Sequence, residues 1–479
     1  MTVTPDLSVD VFGGRLLQAL AAADSRKLFC VLGGEGREIH YGELEELVRD
    51  CAARLQACGV GPGVRVAIKL PLGADAVVHL LATMAAGGMA VPLESASSDA
   101  ADAELLRILA PRVIVREGPE WSVDPALGAP ADANEQAARL GILTSGSTGR
   151  RKCVVLSAAN VLAGVENVVA SHGIGAADVA MCCLPLTHIN GIVTTLLTPL
   201  LTGSSVVYMQ RSFSPPVFFD LMRKYAPTWL SGTPFHYGML VQVAPPPGAL
   251  SSCRFARSAA APLSPAILEK FEALYGVPVV ETMGLSECAG QVFSNPADRR
   301  KAGSVGVPVN FEAEVVDDEG RPVDDGAAGE IRLRGGGVML GYFRDAESTN
   351  SAMRGGWLHT GDLGTRDAEG FFRITGRKKL IAIFSGSNIS LVEIEQAVVG
   401  KLGLNDVAAV SARHATFGEV VDLYYAGAAD AARIRESVKL LLPHPLALRN
   451  VKKIDSIPRS ASGKVLRYRL AGGDTMLVD

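Results

Sequence analysis

Residues 143–152 restrict the fold of this chain most, because they place hydroxyl side chains and two glycines between an apolar segment and three cations. The stretch reads Leu-Thr-Ser-Gly-Ser-Thr-Gly-Arg-Arg-Lys. Glycine permits the positive-φ turns that aim backbone N–H groups at an anion, and hydroxyls and cations can complete the cradle. The pattern is not a Walker A loop, because no Gly-Lys-Ser/Thr follows at the required spacing. It predicts a phosphate-binding loop, with a solvated Ser/Gly turn before a helix as the alternative.

Length and charge exclude several classes of protein. With 479 residues the chain is too long for one hydrophobic core, so at least two domains are expected. A net charge of −4 favours neither nucleic acid nor an anionic membrane surface as a partner. The longest apolar region, residues 179–209, is interrupted by polar residues, glycine and proline before it reaches the roughly 18 residues of a membrane span. We interpret it as buried core.

Cysteine usage and the N-terminus predict a cytoplasmic location. The eight cysteines are scattered without a Cys-x-x-Cys pair, which indicates free thiols and no metal cage. Acidic residues precede the first arginine, Arg15, and this order is not typical of a signal peptide.

Hydrophobic periodicity predicts alternating helices and strands. Apolar residues recur at helical spacing from Leu44 to Cys58, and alternation from Val64 to Leu70 predicts a strand. A helix over 74–87 and a strand over 89–93 follow, while residues 117–136 read as a surface loop. This βαβ order predicts an α/β fold with parallel-rich sheets, in which the phosphate loop ends a strand.

The last hundred residues have a different pattern. We expect a helix at 392–402, strands near 407–411 and 421–426, and a helix at 430–442. The sequence thus predicts a large N-terminal domain of several subdomains, residues 1–377, and a small mobile α+β domain, residues 378–479.

Further motifs follow the loop in a fixed order. They are Leu184-Pro-Leu-Thr-His-Ile-Asn-Gly191, Glu281-Thr-Met-Gly-Leu-Ser-Glu287, Gly341-Tyr342, Trp357-Leu-His-Thr-Gly-Asp362, Gly376-Arg-Lys-Lys379, Ser385-Gly-Ser-Asn-Ile389 and Pro458-Arg-Ser-Ala-Ser-Gly-Lys464. Together with the loop they resemble the adenylate-forming superfamily of acyl-CoA synthetases, luciferases and adenylation domains, across about three quarters of the chain. Arg257-Ser-Ala-Ala-Ala-Pro262 and Gly303-Ser-Val-Gly-Val-Pro308 are most similar to small-acid and aryl acyl-CoA ligases.

The resemblance implies an ATP site that includes Mg²⁺. Glu287 would bind the metal, and Ser286 would contact the α-phosphate. The residues implied to bind ATP or the thiol substrate are Thr144, Ser145, Gly146, Ser147, Thr148, Gly149, Lys152, Glu281, Thr282, Met283, Asp362, Arg377 and Gly386. Among these, Asp362 would accept from the ribose hydroxyls and Gly386 would lie along the pantetheine tunnel of CoA. The chain departs from the family at Cys153, which replaces a glycine, and at Met283, which replaces an aromatic residue.

The resemblance also implies the catalytic groups. Lys464 would bridge the acid and the α-phosphate, Lys379 would be the hinge, and His188 would flank the acid and gate the thiol. The expected acid pocket consists of His188, Ile189, Gly191, Thr194, Phe235, Ala259, Ala260, Gly284, Leu285 and Gln291. Without the family context, His188 reads as an ordinary core histidine and Lys464 as a surface lysine.

The expected function is activation of a carboxylic acid by ATP, with release of pyrophosphate, followed by transfer to a thiol, most simply that of CoA. A carrier-protein thiol or an amine would serve as acceptor with the same motifs. A non-catalytic nucleotide-binding protein is the alternative of another class, and the joint presence of Lys152, Glu287, Asp362 and Lys464 argues against it.

Overall fold

The computed structural model describes residues 8–33, 36–118, 120–126, 132–145, 151–209, 213–402, 404, 406–459 and 465–470. The predicted site residues Gly146, Ser147, Thr148, Gly149 and Lys464 lie outside these ranges.

The described residues form strands in four sheets. In chain order the strands are β1 Leu28–Leu32, β2 Arg37–His40, β3 Arg65–Ile68, β4 Met89–Pro92, β5 Val113–Val115, β6 Ser122–Val123, β7 Ala138–Ser145, β8 Arg151–Ser157, β9 Val179–Cys182, β10 Ser205–Tyr208, β11 Trp229–Gly232, β12 Phe255–Ser258, β13 Val279–Leu285, β14 Gly290–Ser294, β15 Val307–Pro308, β16 Phe311–Val316, β17 Gly329–Gly335, β18 Gly341–Tyr342, β19 Met353–Arg354, β20 Trp357–Arg366, β21 Phe372–Arg377, β22 Ile381–Phe384, β23 Ser387–Ser390, β24 Val407–His414, β25 Gly418–Tyr425 and β26 Leu448–Lys453.

The helices connect and cover these strands. They are α1 Ser8–Ala22, α2 Tyr41–Ala57, α3 Ala74–Ala85, α4 Asp99–Leu109, α5 Ala133–Ala137, α6 Ala158–His172, α7 Thr198–Thr202, α8 Pro215–Tyr225, α9 Pro234–Leu240, α10 Pro265–Tyr275, α11 Ala346–Ala352, α12 Leu391–Leu402 and α13 Ala431–Val438. A π-helix spans Asn190–Leu197. No helix in the described part of the chain has the length and hydropathy that a bilayer crossing requires.

Two large sheets position the site. The first has nine strands in the order β15-β14-β13-β12-β11-β9-β10-β1-β2, with parallel pairs from β13 to β1 and antiparallel pairs at both edges. The second has seven strands in the order β18-β8-β7-β4-β3-β5-β6 and is parallel from β7 to β5. Parallel strands need crossover connections, which the helices supply. The predicted α/β class is confirmed.

Two smaller sheets follow in the chain. Strands β16, β17, β19, β20 and β21 form an antiparallel sheet that ends at Arg377. The last sheet, β22 to β26, packs with α12 and α13 around a core of its own that includes Ile394, Val421 and Ile434. This core lies where the small C-terminal domain is expected, and the boundary at residues 377 and 378 stays a prediction.

Local capping explains where α6, the helix after β8, begins and ends. Asn160 N–H donates to Ser157 Oγ at 3.2 Å, and Ser157 N–H donates to Asn160 Oδ1 at 2.9 Å, so the two residues form a capping box. Gly173 then adopts φ +59° and ends the helix in the left-handed conformation that glycine tolerates.

Most predicted elements are present, and one difference has a physical cause. The predicted strand at 64–70 is β3, and every residue of it is buried, as expected of a parallel strand covered on both faces. The expected surface loop 117–136 is wrong at its end, where Asp132 caps α5 and Glu135 is buried against Arg65. Charge pairing, which single-sequence periodicity does not detect, allows this burial.

Candidate active site

The described ends of the phosphate loop lie on a β-hairpin. Thr144 pairs with Lys152, and Ser145 pairs with Arg151, across the antiparallel strands β7 and β8. The loop therefore leaves the C-terminal end of β7, as predicted, and leads into a strand rather than a helix. Lys152 Nζ donates to Ser348 Oγ at 2.6 Å, so a side-chain hydrogen bond orients the lysine.

Glu287 and Lys152 meet at one tyrosine. Tyr342 lies on β18, which pairs with β8, and its hydroxyl donates to Glu287 Oε1 at 3.0 Å. The ammonium of Lys152 lies 5.0 Å from the centroid of the same ring. Burial, and then the Glu287 carboxylate, raises the pKa of Tyr342, so the tyrosine stays a neutral donor. Ser286 begins the short 3-10 helix that carries Glu287.

Asp362 and Arg377 form an ion pair. They are register partners on β20 and β21, and Arg377 Nε lies 3.1 Å from Asp362 Oδ1. Arg377 also acts to lower the pKa of Tyr342, against the larger effects of burial and Glu287. Contacts at Tyr342 thus bring together Lys152 and Glu287, which are far apart in the chain, and strand register brings Asp362 to Arg377.

The Glu281 carboxylate lies in a separate environment. Gly303 N–H donates to Glu281 Oε2 at 2.9 Å, and the carboxylate borders a cavity of about 160 Å³ with Arg300 and Lys301. Burial raises the pKa of Glu281 to about 7. Further along β13, Thr282 Oγ1 donates to Ser258 O at 3.2 Å. Met283 is half-buried against the main core.

The expected acid pocket centres on the π-helix and the end of β12. The members that the structure buries are Ile189, Gly191, Thr194 and Ala259, and the half-buried members are His188, Gly284 and Leu285. Gly191 has no room for a side chain, because a Cβ there would lie 2.2 Å from Pro185 O. π-Helical turns are frequent at functional sites.

Three other expected pocket residues are placed differently. The Phe235 side chain is 47% exposed, and Ala260 is exposed with φ +73°. Gln291 is fully buried, and its amide donates to Ser171 Oγ at 2.6 Å while its Oε1 lies 3.1 Å from His172 Nε2. Phe235 and Ala260 are therefore exposed, whereas Gln291 lies in a buried polar cluster.

The sequence reasoning did not select Arg257 as a site residue. This side chain is 1% exposed on β12, two residues before Ala259, and Nη1 donates to Asn190 Oδ1 at 2.8 Å. The feature that could have indicated a site residue is an arginine within the strand Phe-Ala-Arg-Ser, which is buried. Arginine is seldom buried without a partner, so such a position calls for one.

Gly386 and Lys379 belong to the C-terminal sheet and its approach. Gly386 has φ +82° and follows Ser385 at φ +47°, which makes the tight turn between β22 and β23. A Cβ on Gly386 would meet nothing within 4 Å. Lys379 is exposed in the short 3-10 helix Lys378–Leu380 that joins β21 to β22.

Comparison with known proteins identifies the family. The sequence profile of the family described as AMP-binding enzyme matches residues 17–343. The chain is 35% identical to the sulfoacetate–CoA ligase of Cupriavidus necator, over 95% of this chain and 96% of that protein. It is 28% identical to the oxalate–CoA ligase of Arabidopsis thaliana, over 90% and 92%. The chain belongs to the AMP-binding enzyme family.

A solved structure agrees with this assignment. ATP-bound MatB from Rhodopseudomonas palustris matches with a TM-score of 0.84 at 27% identity, covering 95% of this chain and 98% of that one. The predicted superfamily is confirmed, and so is the prediction that the chain is an enzyme.

Proposed function

We propose that this enzyme joins a short carboxylic acid to CoA through an acyl-adenylate. In the first step a carboxylate oxygen attacks the α-phosphorus of ATP, and the bond to pyrophosphate breaks. In the second step the CoA sulfur attacks the acyl carbonyl, AMP leaves, and the thiol proton passes to solvent. The contacts of Lys152 and Glu287 with Tyr342 are the observation that carries this proposal, and the Asp362–Arg377 ion pair supports it.

The first step needs electrostatic stabilisation more than covalent help, because negative charge develops on the phosphates. Lys152 and the loop it borders hold the β- and γ-phosphates. Ser286 donates to the α-phosphate, and Lys464 bridges that phosphate and the acid. Asp362 accepts from the ribose hydroxyls, while Arg377 fixes the orientation of its carboxylate at 3.1 Å.

Magnesium fits this site through one carboxylate. Tyr342 donates to one oxygen of Glu287, which leaves the other oxygen for a cation. The described residues contain no cluster of three metal-binding side chains, and Mg²⁺ in ATP sites is commonly held by one or two carboxylates together with substrate phosphates. When bound with ATP, the ion would neutralise phosphate charge.

The second step requires a change of domain orientation. The small domain rotates about Lys379, which withdraws Lys464 and brings the Gly386 turn to the acyl-adenylate. His188 flanks the carbonyl that the thiol approaches. The names of two similar proteins, sulfoacetate–CoA ligase and oxalate–CoA ligase, support CoA as the acceptor and a short acid as the donor.

Two variants should separate the half-reactions. Lys464→Ala should reduce acid-dependent pyrophosphate release by about 10²–10³ or more, while supplied acyl-adenylate still reacts with CoA. Gly386→Leu should do the opposite, because its side chain obstructs the pantetheine path. Gly326→Leu is the matched control, since Gly326 also has a positive φ, +87°, and open space around it.

The outcomes distinguish the alternatives. Equal loss of both steps in each variant would contradict the two-orientation mechanism. Adenylate formation by the wild type without acyl-CoA, but with loading of a carrier protein or an amine, would replace CoA as the acceptor. An absence of pyrophosphate release across a broad acid panel would favour a non-catalytic nucleotide-binding protein.

A further inference from the structure

Arg257 is a fully buried cation on a central strand of the nine-stranded sheet. It lies on β12 between β11 and β13, and all four residues of that strand are buried. Burial lowers the pKa of Arg257 to about 10, so the guanidinium remains charged at neutral pH. A buried charge is costly unless an opposite charge and hydrogen bonds compensate it.

Its partners within the protein are neutral. Nε donates to Gln291 Oε1 at 2.9 Å, and Nη1 donates to Asn190 Oδ1 at 2.8 Å and to Ser231 Oγ at 3.3 Å. Among the described residues, no carboxylate lies within ion-pair distance of the guanidinium. The hydrogen bonds that it donates to these residues come from Nε and Nη1 and not from Nη2. The structure therefore supplies hydrogen-bond acceptors for the cation but no counter-charge.

The adjoining histidine does not alter this balance. His172 Nε2 lies 3.1 Å from the same Gln291 oxygen that Arg257 contacts. Burial lowers the pKa of His172 to about 3, with the nearby Arg257 charge acting in the same direction, so the imidazole is neutral. The cluster consequently carries one net positive charge.

One further polar group near this cluster has no partner in the described structure. Thr194 Oγ1 is buried without a hydrogen bond, about one turn of the π-helix after Asn190, whose amide oxygen accepts from Arg257. Buried hydroxyls are nearly always hydrogen-bonded in native proteins, so an unpaired one needs an explanation. An anion held between the π-helix and β12 would accept from the Thr194 hydroxyl and the guanidinium.

The cluster adjoins the expected acid pocket. Asn190 is half-buried, follows His188 and Ile189 directly, and touches the guanidinium, so it connects the pocket with the cation. Arg257 and Ala259 are two residues apart, which corresponds to about 7 Å along a strand. A cation this close to the expected pocket suits a short acid with a second polar group, whereas a long apolar chain would leave the charge uncompensated.

We propose that Arg257 recognises a second anionic group, a carboxylate or a sulfonate, on the acid whose first carboxylate is activated. Nε and Nη1 already donate to Gln291, Asn190 and Ser231, so Nη2 would donate a charge-assisted hydrogen bond to an oxygen of such a group. The substrate brings the missing counter-charge, so a neutral acid of equal size leaves Arg257 uncompensated. This inference rests on the proposed function.

Matched acids test the assignment. Sulfoacetate and malonate carry the second anion, whereas methylsulfonylacetate and monomethyl malonate are their near-isosteric neutral counterparts. We expect wild-type kcat/KM for pyrophosphate release to favour the dianions by about 100-fold or more, since an unpaired buried charge costs that much in comparable complexes. The sulfonate and carboxylate pairs show separately which anion the site prefers.

Two variants test whether the preference for dianionic acids arises at Arg257. Arg257→Met should reduce kcat/KM for the dianion by about 10²–10³ and for its neutral counterpart by less than about tenfold. Asn190→Asp should have the same selective effect, because it places a near-isosteric carboxylate beside Nη1 and neutralises the cation from within. This second variant keeps the test valid if Arg257→Met folds poorly, and Arg257→Lys should restore part of the preference.

The results separate this inference from the proposed function. Pyrophosphate release that favours neutral acids, or equal loss of both acids in folded variants, would overturn the role of Arg257 while leaving acid activation in place. Dianion-dependent pyrophosphate release without acyl-CoA would support Arg257 and overturn only the choice of CoA. Absence of release with every acid would overturn both.

Discussion

Arg65 and Arg257 occupy equivalent settings but differ in how their charge is balanced. Each is 1% exposed and lies on a strand with parallel neighbours in one of the two large sheets. Arg65 Nη1 lies 3.0 Å from Glu135 Oε2, whereas the acceptors of Arg257 are an amide, a second amide and a hydroxyl. A cation paired within the chain stabilises the fold, and a cation with neutral acceptors is available to an anionic ligand.

Glu281 shows why the two signs of charge behave differently. It is a buried carboxyl without an ion pair among the described residues, and its pKa rises to about 7. A carboxylic acid can lose its charge by taking up a proton, but the pKa of Arg257 stays near 10. An uncompensated arginine therefore requires an anion at neutral pH, where an uncompensated glutamate does not require a cation.

The largest effect on stability should come from breaking the buried ion pair between Arg65 and Glu135. Glu135→Ala leaves Arg65 buried without its counter-ion and should lower the free energy of unfolding by about 3–5 kcal/mol. Urea unfolding measures this loss, and the ratio of activities toward dianionic and neutral acids should not change. Glu104→Ala is the control, because its pair with Arg107 is exposed and should contribute less than about 1 kcal/mol. A similar cost for both variants would remove the contrast with Arg257.

The next effect concerns the pH dependence of Glu281. A folded-state pKa raised from 4.5 to about 7 means that the folded chain holds this proton more tightly than the unfolded chain. Stability should therefore decrease between about pH 4.5 and 7 and level off above. Relative to wild type, Glu281→Gln should gain up to about 3 kcal/mol at pH 8 compared with pH 4.5. Unfolding at both pH values measures this, and an equal difference at both would exclude the proposed titration.

A smaller effect is expected on the stabilisation of the folded protein by a bound dianion, which should depend on Arg257. At a concentration 100 times its Kd, sulfoacetate should stabilise the wild type by about 2.7 kcal/mol, as any ligand that binds only the folded state does. Arg257→Met and Asn190→Asp should lose most of this gain at the same concentration. Thermal unfolding with and without sulfoacetate provides the measurement. Undiminished stabilisation of both variants would place the anion elsewhere.

The smallest effect should arise at Met283, an uncharged residue of the predicted ATP site. It serves as a reference for the variants at charged residues. Met283→Tyr should lower the KM for ATP by a few-fold to about tenfold, because a stacked ring gains roughly 0.5–1.5 kcal/mol over simple burial. The preference for dianionic acids should remain as in the wild type. An unchanged KM in a folded variant would mean that residue 283 does not contact adenine.

Local patterns were sufficient for most elements and for the family. The helix beginning at Tyr41, the helix at 391–402 and the strand after residue 406 follow from apolar periodicity, which burial enforces directly. Register was not predictable in the same way. The Asp362–Arg377 pair depends on how β20 and β21 align, and the link from Glu287 to Lys152 passes through Tyr342, whose position is set by a strand pairing across nearly 200 residues.

The sequence by itself determined that this chain is an α/β enzyme with a phosphate-binding loop and the ordered motifs of the AMP-binding family, because hydrophobic period and short motifs are properties of neighbouring residues. Tertiary structure alone decided which charges are compensated. Arg65 and Arg257 are both arginines in apolar strands, and only the folded chain brings Glu135 to one of them and neutral Gln291 and Asn190 to the other. The reason is physical: the energy of a buried charge depends on the groups that surround it in space.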